Sequence, residues 1–404
     1  MTRDGTTHPV WLDSGPPPRL GGNERGSEAY ARHFALVALW SGHLDPADGV
    51  MLDISPGAIG NAAPFAELVE DPLRQLDAYR AAKGGMPAAG HPLNPVTGEP
   101  YAPNIVPRGD YTRVLAEFWA DGPDSETPPG HWFRIYNERV ATHPLLTRRV
   151  GGYGEALDPL AFDVLAYLAL GGAMHDAAIA AWSVKGAYDY PRPVSAIRHL
   201  ADIDAADGGL PLVDGHIERV RPDDPLAGEN GEHVGKIKVR AWRGPDAITF
   251  AALDTAGVDW ILAESWWPYQ RPSFVTPPFA GYLSGHSTFS RAAAEVLESL
   301  TGNAFFPGGL AEFTAPFDEF LVFERGPSLE VTLQWATYRD AADQTSLSRI
   351  WGGIHPPADD LPGRRMGATV GRLAWARARA LFEGIEEPEA PRARTDAADV
   401  SVNR

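Results

Sequence analysis

The sequence predicts a mainly helical protein, and three observations carry that expectation. Apolar residues recur at three-and-four spacing along most of the chain, several of these segments begin and end with helix-boundary chemistry, and no fixed-period repeat suggests a solenoid or propeller. In order, the periodic segments are Ala29 to His43, Phe65 to Ala82, His131 to Thr142, Pro159 to Tyr190, Thr288 to Leu300, Leu329 to Trp351 and Arg364 to Phe382. Asp158-Pro159 offers an N-cap followed by a first-turn proline. Val331, Trp335, Tyr338 and Ala342 are expected to line one helical face before Gly352-Gly353 ends the segment. Residues 201–247 break the pattern with dense Gly, Pro and Asp, and the alternation from Val234 to Trp242 reads as one strand or a hairpin arm. Residues 1–27 and 386–404 lack apolar periodicity and are expected to be flexible arms around a helical domain of residues 28–385.

At 404 residues, 44% hydrophobic and 22% charged, the chain can bury a large core, which excludes disordered, collagen-like and small disulfide-scaffold classes. The formal net charge of -18 repels nucleic acid and anionic lipid, so any cluster of cations needs a local cause. There are no cysteines, hence no disulfide, thiolate metal site or cysteine nucleophile. The longest apolar run, Val164 to Met174, falls short of the roughly 18 residues of a membrane span. The expectation is therefore a soluble protein, cytoplasmic, or exported if a signal was removed ahead of Met1.

Three motifs gather basic residues and histidines. In Lys185-x6-Arg192-Pro, seven residues are about two helical turns, which would put both cations on one face before the prolines hold Arg192 in an extended exit. They could grip one anion, or simply be solvated at a helix C-terminus. Ser284-Gly285-His286-Ser287 precedes an amphipathic segment; Ser284 or Ser287 can cap it, leaving first-turn amides beside an imidazole, although a plain capping serine with an incidental histidine reads the same way. In Ser348-Arg349-x5-His355-x3-Asp359 the two glycines break a helix, and His355 emerges four residues before a carboxylate that could fix its tautomer; the bland reading is a C-cap and a proline-rich loop. Taken together, three cations, a helix N-terminus and two imidazoles are what a small tetrahedral oxyanion requires.

In that order the motifs resemble those shared by the vanadium-dependent haloperoxidases and the type 2 phosphatidic acid phosphatases. Phe118-Trp-Ala-Asp-Gly-Pro, Pro128-Pro-Gly-His-Trp132, Met174-His-Asp-Ala-Ala-Ile-Ala-Ala-Trp182 and Thr276-Pro-Pro-Phe-Ala-Gly-Tyr-Leu-Ser-Gly-His286 are similar to the bacterial haloperoxidases, over roughly residues 30 to 380. The resemblance implies an all-α domain of two four-helix bundles. It also implies vanadate as cofactor, with His355 binding vanadium, Lys185, Arg192, Arg349, Ser284 and the Gly285 amide holding the oxygens, and His286 as acid/base. Trp182 and Phe279 would wall the halide side, and Asp359 would support His355. Leu283 stands where many members have proline, and the Arg192 to Ser284 spacing is long, so a differently built cavity mouth is expected.

The implied reaction is oxidation of bromide or iodide, with chloride a further option, by hydrogen peroxide to hypohalous acid, which halogenates a small organic acceptor. The alternative is a soluble acid phosphatase in which His355 forms a phosphohistidine and His286 protonates the leaving group. A non-catalytic anion binder is a third reading, disfavoured by the presence of both imidazoles. Trp266-Trp267-Pro-Tyr269 and Phe274 are expected near the mouth or as ordinary loop packing, and His175 as a supporting or core histidine. Halide preference, organic substrate and oligomeric state, a homodimer among the options, are not fixed by the sequence.

Overall fold

A computed structural model describes residues 10–21, 24–59, 72–79, 90–120, 126–270 and 276–385. Its helices are α1 (Glu24–Ser41), α2 (Pro56–Ile59), α3 (Pro72–Gln75), α4 (Arg108–Phe118), α5 (Pro128–Ile135), α6 (Pro159–Tyr188), α7 (Pro193–Ala201), α8 (Gly285–Thr301), α9 (Tyr338–Trp351) and α10 (Pro357–Phe382). Most of the predicted segment from Phe65 to Ala82 lies outside the described residues.

The centre is a bundle of α6, α8, α9 and α10, with α10 packed on α8 and α6 and α8 packed on α9. Around it, α1 rests on α7 and α9, α4 on α9 and α5 on α8. The closest of these contacts has a cause in glycine spacing. A Cβ on Gly363 would lie 2.9 Å from the Ser284 carbonyl oxygen, one on Gly367 2.4 Å from that of Thr288 and one on Gly371 2.6 Å from that of Ala292. Both series advance by four residues in the same direction, so α8 and α10 run parallel, backbone against backbone, and their N-termini open at the same end.

Local chemistry starts these helices where the sequence suggested. The Asp158 side chain caps α6 by accepting from the Ala161 amide, and Ser284 caps α8 by accepting from that of Ser287. With 30 residues, α6 is long and apolar enough to cross a membrane by composition alone, yet half of its most apolar window is buried inside the protein.

Three small antiparallel sheets interrupt the helices: β1 (Met51–Asp53) with β2 (Ile105–Pro107), the order β3–β4–β5 (Ile217–Arg219, Ile237–Trp242, Val258–Leu262), and β6 (Ala311–Ala315) with β7 (Val331–Trp335). The strand expected from Val234 starts at Ile237 and is the middle of three, so the insertion reaches past residue 247 to Leu262. One expectation is corrected outright: Leu329 to Trp351 is not one helix. Val331, Leu333 and Trp335 alternate with Thr332 and Gln334 as the buried face of β7, and α9 begins only at Tyr338. Two residues four apart share a face in a strand as well as in a helix, which is why Val331 and Trp335 fitted both periods.

Residues 10–21, part of the expected arm, lie against the body. Tyr282 Oη donates to the Gly15 carbonyl at 2.7 Å and Tyr188 Oη to Asp13 at 2.9 Å, with Pro17 and Pro18 buried.

Candidate active site

The parallel α8 and α10 bring Ser284 and Asp359 to one end of the bundle, where the Ser284 amide donates to the Asp359 carbonyl at 2.9 Å. The C-terminal turns of α6 and α9 deliver Lys185 and Arg349 to the same end. Arg192 takes the extended exit that the prolines suggested, but beyond the end of α6 rather than two turns along the same helix. α6 ends at Tyr188, Asp189 takes the left-handed conformation (φ 44°) that Asp tolerates, and Arg192 is the extended N-cap residue of α7. The two cations meet across the short link from α6 to α7, each beside the Phe279 ring.

All three cations are buried, and carbonyl oxygens figure largely among their partners. Lys185 Nζ donates to the Ala280 and Gly281 carbonyls, each at 2.8 Å. Arg192 donates through Nε to the Phe279 carbonyl at 3.0 Å and through one terminal nitrogen to that of Ile354 at 3.0 Å, with His355 Nε2 3.0 Å from the same nitrogen. Arg349 donates to the Trp119 carbonyl at 3.0 Å. Burial first, and the neighbouring Arg192 next, hold Lys185 well below the usual ammonium range, while burial brings Arg192 down to about 10.

His355 Nδ1 lies 2.7 Å from Asp359 Oδ2, the contact its four-residue spacing suggested. Burial pushes the carboxyl up to about 8 against the pull of Lys185 and Arg192, and burial plus those cations and Arg349 pushes the imidazole well down. The Arg192 guanidinium can only donate, so Nε2 accepts from it and the neutral ring carries its proton on Nδ1, held by Asp359. His286 is likewise depressed, by burial and then by Arg349, and also bonds the Trp119 backbone. Its Nε2 is buried with no hydrogen-bond partner among the described residues.

Gly285 opens the first turn of α8. A Cβ there would stand 3.1 Å from the Trp182 ring, so glycine lets the tryptophan lie over the amides of that turn. Trp182 packs on Phe279 with ring centroids 5.2 Å apart, and Lys185 and Arg192 sit 5.3 and 5.1 Å from the Phe279 centroid. Both rings are partly exposed, at 43% and 41%.

The other sequence candidates separate. Trp266 and Tyr269 are buried in apolar clusters, as ordinary packing, and Phe274 lies outside the described residues, as does the run 121–125. His175 is neither supporting nor core: its side chain is 72% exposed beside Asp176. The Tyr282–Leu283 peptide, just ahead of the Ser284 cap, is cis.

Sequence reasoning missed three groups. The Trp119 carbonyl orients both Arg349 and His286. His131 on α5 is a buried ring held down to about 4, mainly by desolvation, and it packs against Phe118 and Trp119. Asp360, next to Asp359, binds Arg364, Tyr79 and Ser287. The available signal was the four-residue Asp360–Arg364 spacing on a helix.

Three buried cations and a helix N-terminus suit an oxyanion, with two neutral imidazoles beside them. Among the described residues no group of three or more His, Asp or Glu side chains forms a cage for a bare cation.

Solved structures of a bacterial vanadium-dependent chloroperoxidase match in holo form (19% identity, TM-score 0.46, 68% of this chain and 45% of that one) and in apo form (20%, 0.46, 68% and 46%). A bacterial vanadium-dependent iodoperoxidase matches at 23% identity with TM-score 0.35, over 65% of this chain and 42% of that one. The chain thus spans under half the length of the solved structures it matches. Among curated proteins no match is found. Residues 165–384, more than half of the chain and all of the helices that build the cation pocket, match the VCPO second helical-bundle domain, and the chain belongs to this vanadium haloperoxidase family.

Proposed function

We propose that the protein is a vanadate-dependent haloperoxidase that uses hydrogen peroxide to oxidise bromide or iodide, with chloride a further option, and so halogenates a small organic acceptor. The observation that carries this reading is the excess of buried positive charge: Lys185, Arg192 and Arg349 converge with Asp359 as the carboxylate beside Lys185 and Arg192. An oxyanion of two to three charges would bring such a pocket near neutrality.

The residues present fit vanadate. Lys185, Arg192 and Arg349 would hold its oxygens together with the Ser284 hydroxyl and the Gly285 amide, and His355 would bind through Nε2, its Nδ1 proton secured by Asp359. When bound, vanadate supplies a Lewis-acidic centre that activates peroxide without changing its own oxidation state. The unpartnered His286 Nε2 is placed to take a proton from the incoming peroxide, and depression of its pKa keeps it neutral and able to accept. Lys185 Nζ, beside the Trp182 and Phe279 rings, would donate to an oxygen of the bound group on the side open to the halide. Trp182 and Phe279 give that side an apolar wall, which suits a weakly hydrated halide.

The same donors would serve a phosphatase passing through a phosphohistidine on His355. One purified sample decides between them. Bromination or iodination that requires both vanadate and peroxide, with little hydrolysis of a chromogenic phosphate ester, is the expected result. Rapid ester hydrolysis without halogenation would replace this reading with the phosphatase.

A further inference from the structure

Three successive carbonyls aim Lys185 and Arg192. Phe279 accepts from Arg192 Nε, and Ala280 and Gly281 both accept from Lys185 Nζ. The same stretch goes on to supply Ser284 and the first amide of α8. The geometry of the pocket therefore depends on what holds residues 279–284 in place.

From the inside this stretch has no slack. A Cβ on Gly281 would stand 2.9 Å from the Pro191 carbonyl oxygen and 3.0 Å from Asp359 Oδ2, and the Gly281 amide donates to the Tyr190 carbonyl at 2.8 Å. From the outside it is held by residues far away in sequence. The buried Tyr282 donates its hydroxyl to the Gly15 carbonyl at 2.7 Å, and its ring meets that of Tyr188 edge to face with centroids 5.5 Å apart. Tyr188, three residues after Lys185 on α6, donates to Asp13 at 2.9 Å, and the Arg19 guanidinium lies 5.9 Å from the centre of its ring. The two tyrosines thus back the two segments that meet at the Lys185 ammonium.

The piece of chain that grips them is stiffened by its own sequence. Asp13 also accepts from the Gly15 amide at 2.9 Å, closing a local turn in which Gly15 takes a φ of 79°. Pro16, Pro17 and Pro18 follow, with φ fixed by their rings, so less chain entropy is lost in docking them. Pro17 and Pro18 are buried, and Val10, Leu12 and Leu20 pack on the main core. One hydroxyl bond to a loose tail would restrain little; here two, from opposite sides of the Lys185 joint, converge on one anchored segment.

We propose that Tyr282 is a positioning residue for the oxyanion pocket, and that residues 13–19 act through it and Tyr188 as a clamp that keeps the carbonyls of residues 279–281 on Lys185 and Arg192. The inference rests on the reading of that pocket as an oxyanion site. Loosening the clamp lets Lys185 Nζ leave its carbonyls, and a bound oxyanion then loses an aimed donor.

Lysine chemistry supplies a readout that needs no bound ligand. The chain has four lysines; Lys185 is buried, whereas the Lys236 side chain is 40% exposed. In the full, ligand-free protein, acetylation by acetic anhydride followed by peptide mass analysis should show Lys185 reacting far more slowly than Lys236. Tyr282→Phe keeps the ring and removes only the hydroxyl. It should raise the Lys185 rate relative to that of Lys236 by at least about fivefold, the worth of one ordinary hydrogen bond in an equilibrium constant. Calorimetric titration should show vanadate affinity weakened by a similar factor. Tyr136→Phe is the control: it removes a hydroxyl bond of 2.6 Å to Asp163, near the start of α6 and far from Lys185, and should change neither readout. A Tyr282→Phe protein with a lowered thermal midpoint but unchanged Lys185 labelling would overturn the proposal, as would equal changes in the two variants. A parent protein that binds no vanadate would count against the proposed function, while Lys185 labelling would still decide for or against the clamp.

Discussion

Asp359 and Asp360 are adjacent on α10 and both fully buried, yet they serve two regions with opposite electrostatic logic. Asp360 belongs to a paired network: Arg364 reaches it at 2.7 Å and Asp343 at 2.9 Å, Arg291 lies 4.0 Å from Asp343, and Tyr79 and Ser287 donate to Asp360 at 2.6 and 2.9 Å. Positive and negative groups there answer one another across α8, α9 and α10, as a buried ionic cluster must to offset its desolvation. Asp359 faces the other way, into a pocket where Lys185, Arg192, Arg349 and two imidazoles converge. Burial raises its carboxyl, and Lys185 and Arg192 pull it back towards the ionised form. The difference separates scaffold from site: a cluster balanced within the protein holds helices together, whereas a buried surplus of one sign is arranged for a ligand of the other.

This contrast can be broken from either side. The largest effect is expected in the balanced network, where Arg364→Leu leaves Asp360 and Asp343 without their shared cation; chemical denaturation should show a loss of about 3–5 kcal/mol. An unchanged midpoint would mean that the network does not hold the bundle. In the pocket, His286→Ala should lower halogenating turnover about 10²–10⁴-fold while vanadate affinity stays within about tenfold, because the ring is assigned a proton and no bond to the metal. Equal losses of binding and turnover would make it a ligand.

Asp359→Asn stands between the two regions. It replaces the charged acceptor that keeps the His355 proton on Nδ1 with a neutral amide that can also turn its NH2 to the ring, and titration with vanadate should show affinity lower by about 10–100-fold. Stability should respond much less than to Arg364→Leu, and the reverse ranking would assign Asp359 to the scaffold. The smallest effect tests the geometry that sets both regions at one end. Gly367→Ala places a methyl 2.4 Å from the Thr288 carbonyl oxygen, so α8 and α10 must separate, at about 1–3 kcal/mol in thermal or chemical unfolding. Gly172→Ala, with nothing within 4 Å of its Cβ, is the matched control.

What the sequence made legible follows from range. Helix starts are local, so Asp158 before Pro159, Ser284 before Gly285 and the four-residue step from His355 to Asp359 could be read directly. The motifs nominated the pocket residues by type and order. The path that brings them together was not readable, because it depends on the left-handed end of α6 at Asp189 rather than on helical phase. β7 was hidden for a different reason, since the spacing of Val331 and Trp335 satisfies two periods and only pairing with β6 selects one. The network around Asp360 joins Tyr79, Ser287, Asp343 and Arg364 from distant segments and leaves almost no local trace. The Gly363–Gly367–Gly371 series did leave one, a four-residue repeat of the smallest side chain, whose meaning needed the neighbouring helix.

The most direct test of the oxyanion pocket is calorimetric titration of the purified protein with vanadate, beside the same titration of His355→Ala. Saturable binding of one vanadate per chain by the parent protein, with affinity at least about 100-fold lower in His355→Ala, is the predicted result. Undetectable binding by the parent, or equal affinity in the two proteins, would contradict it.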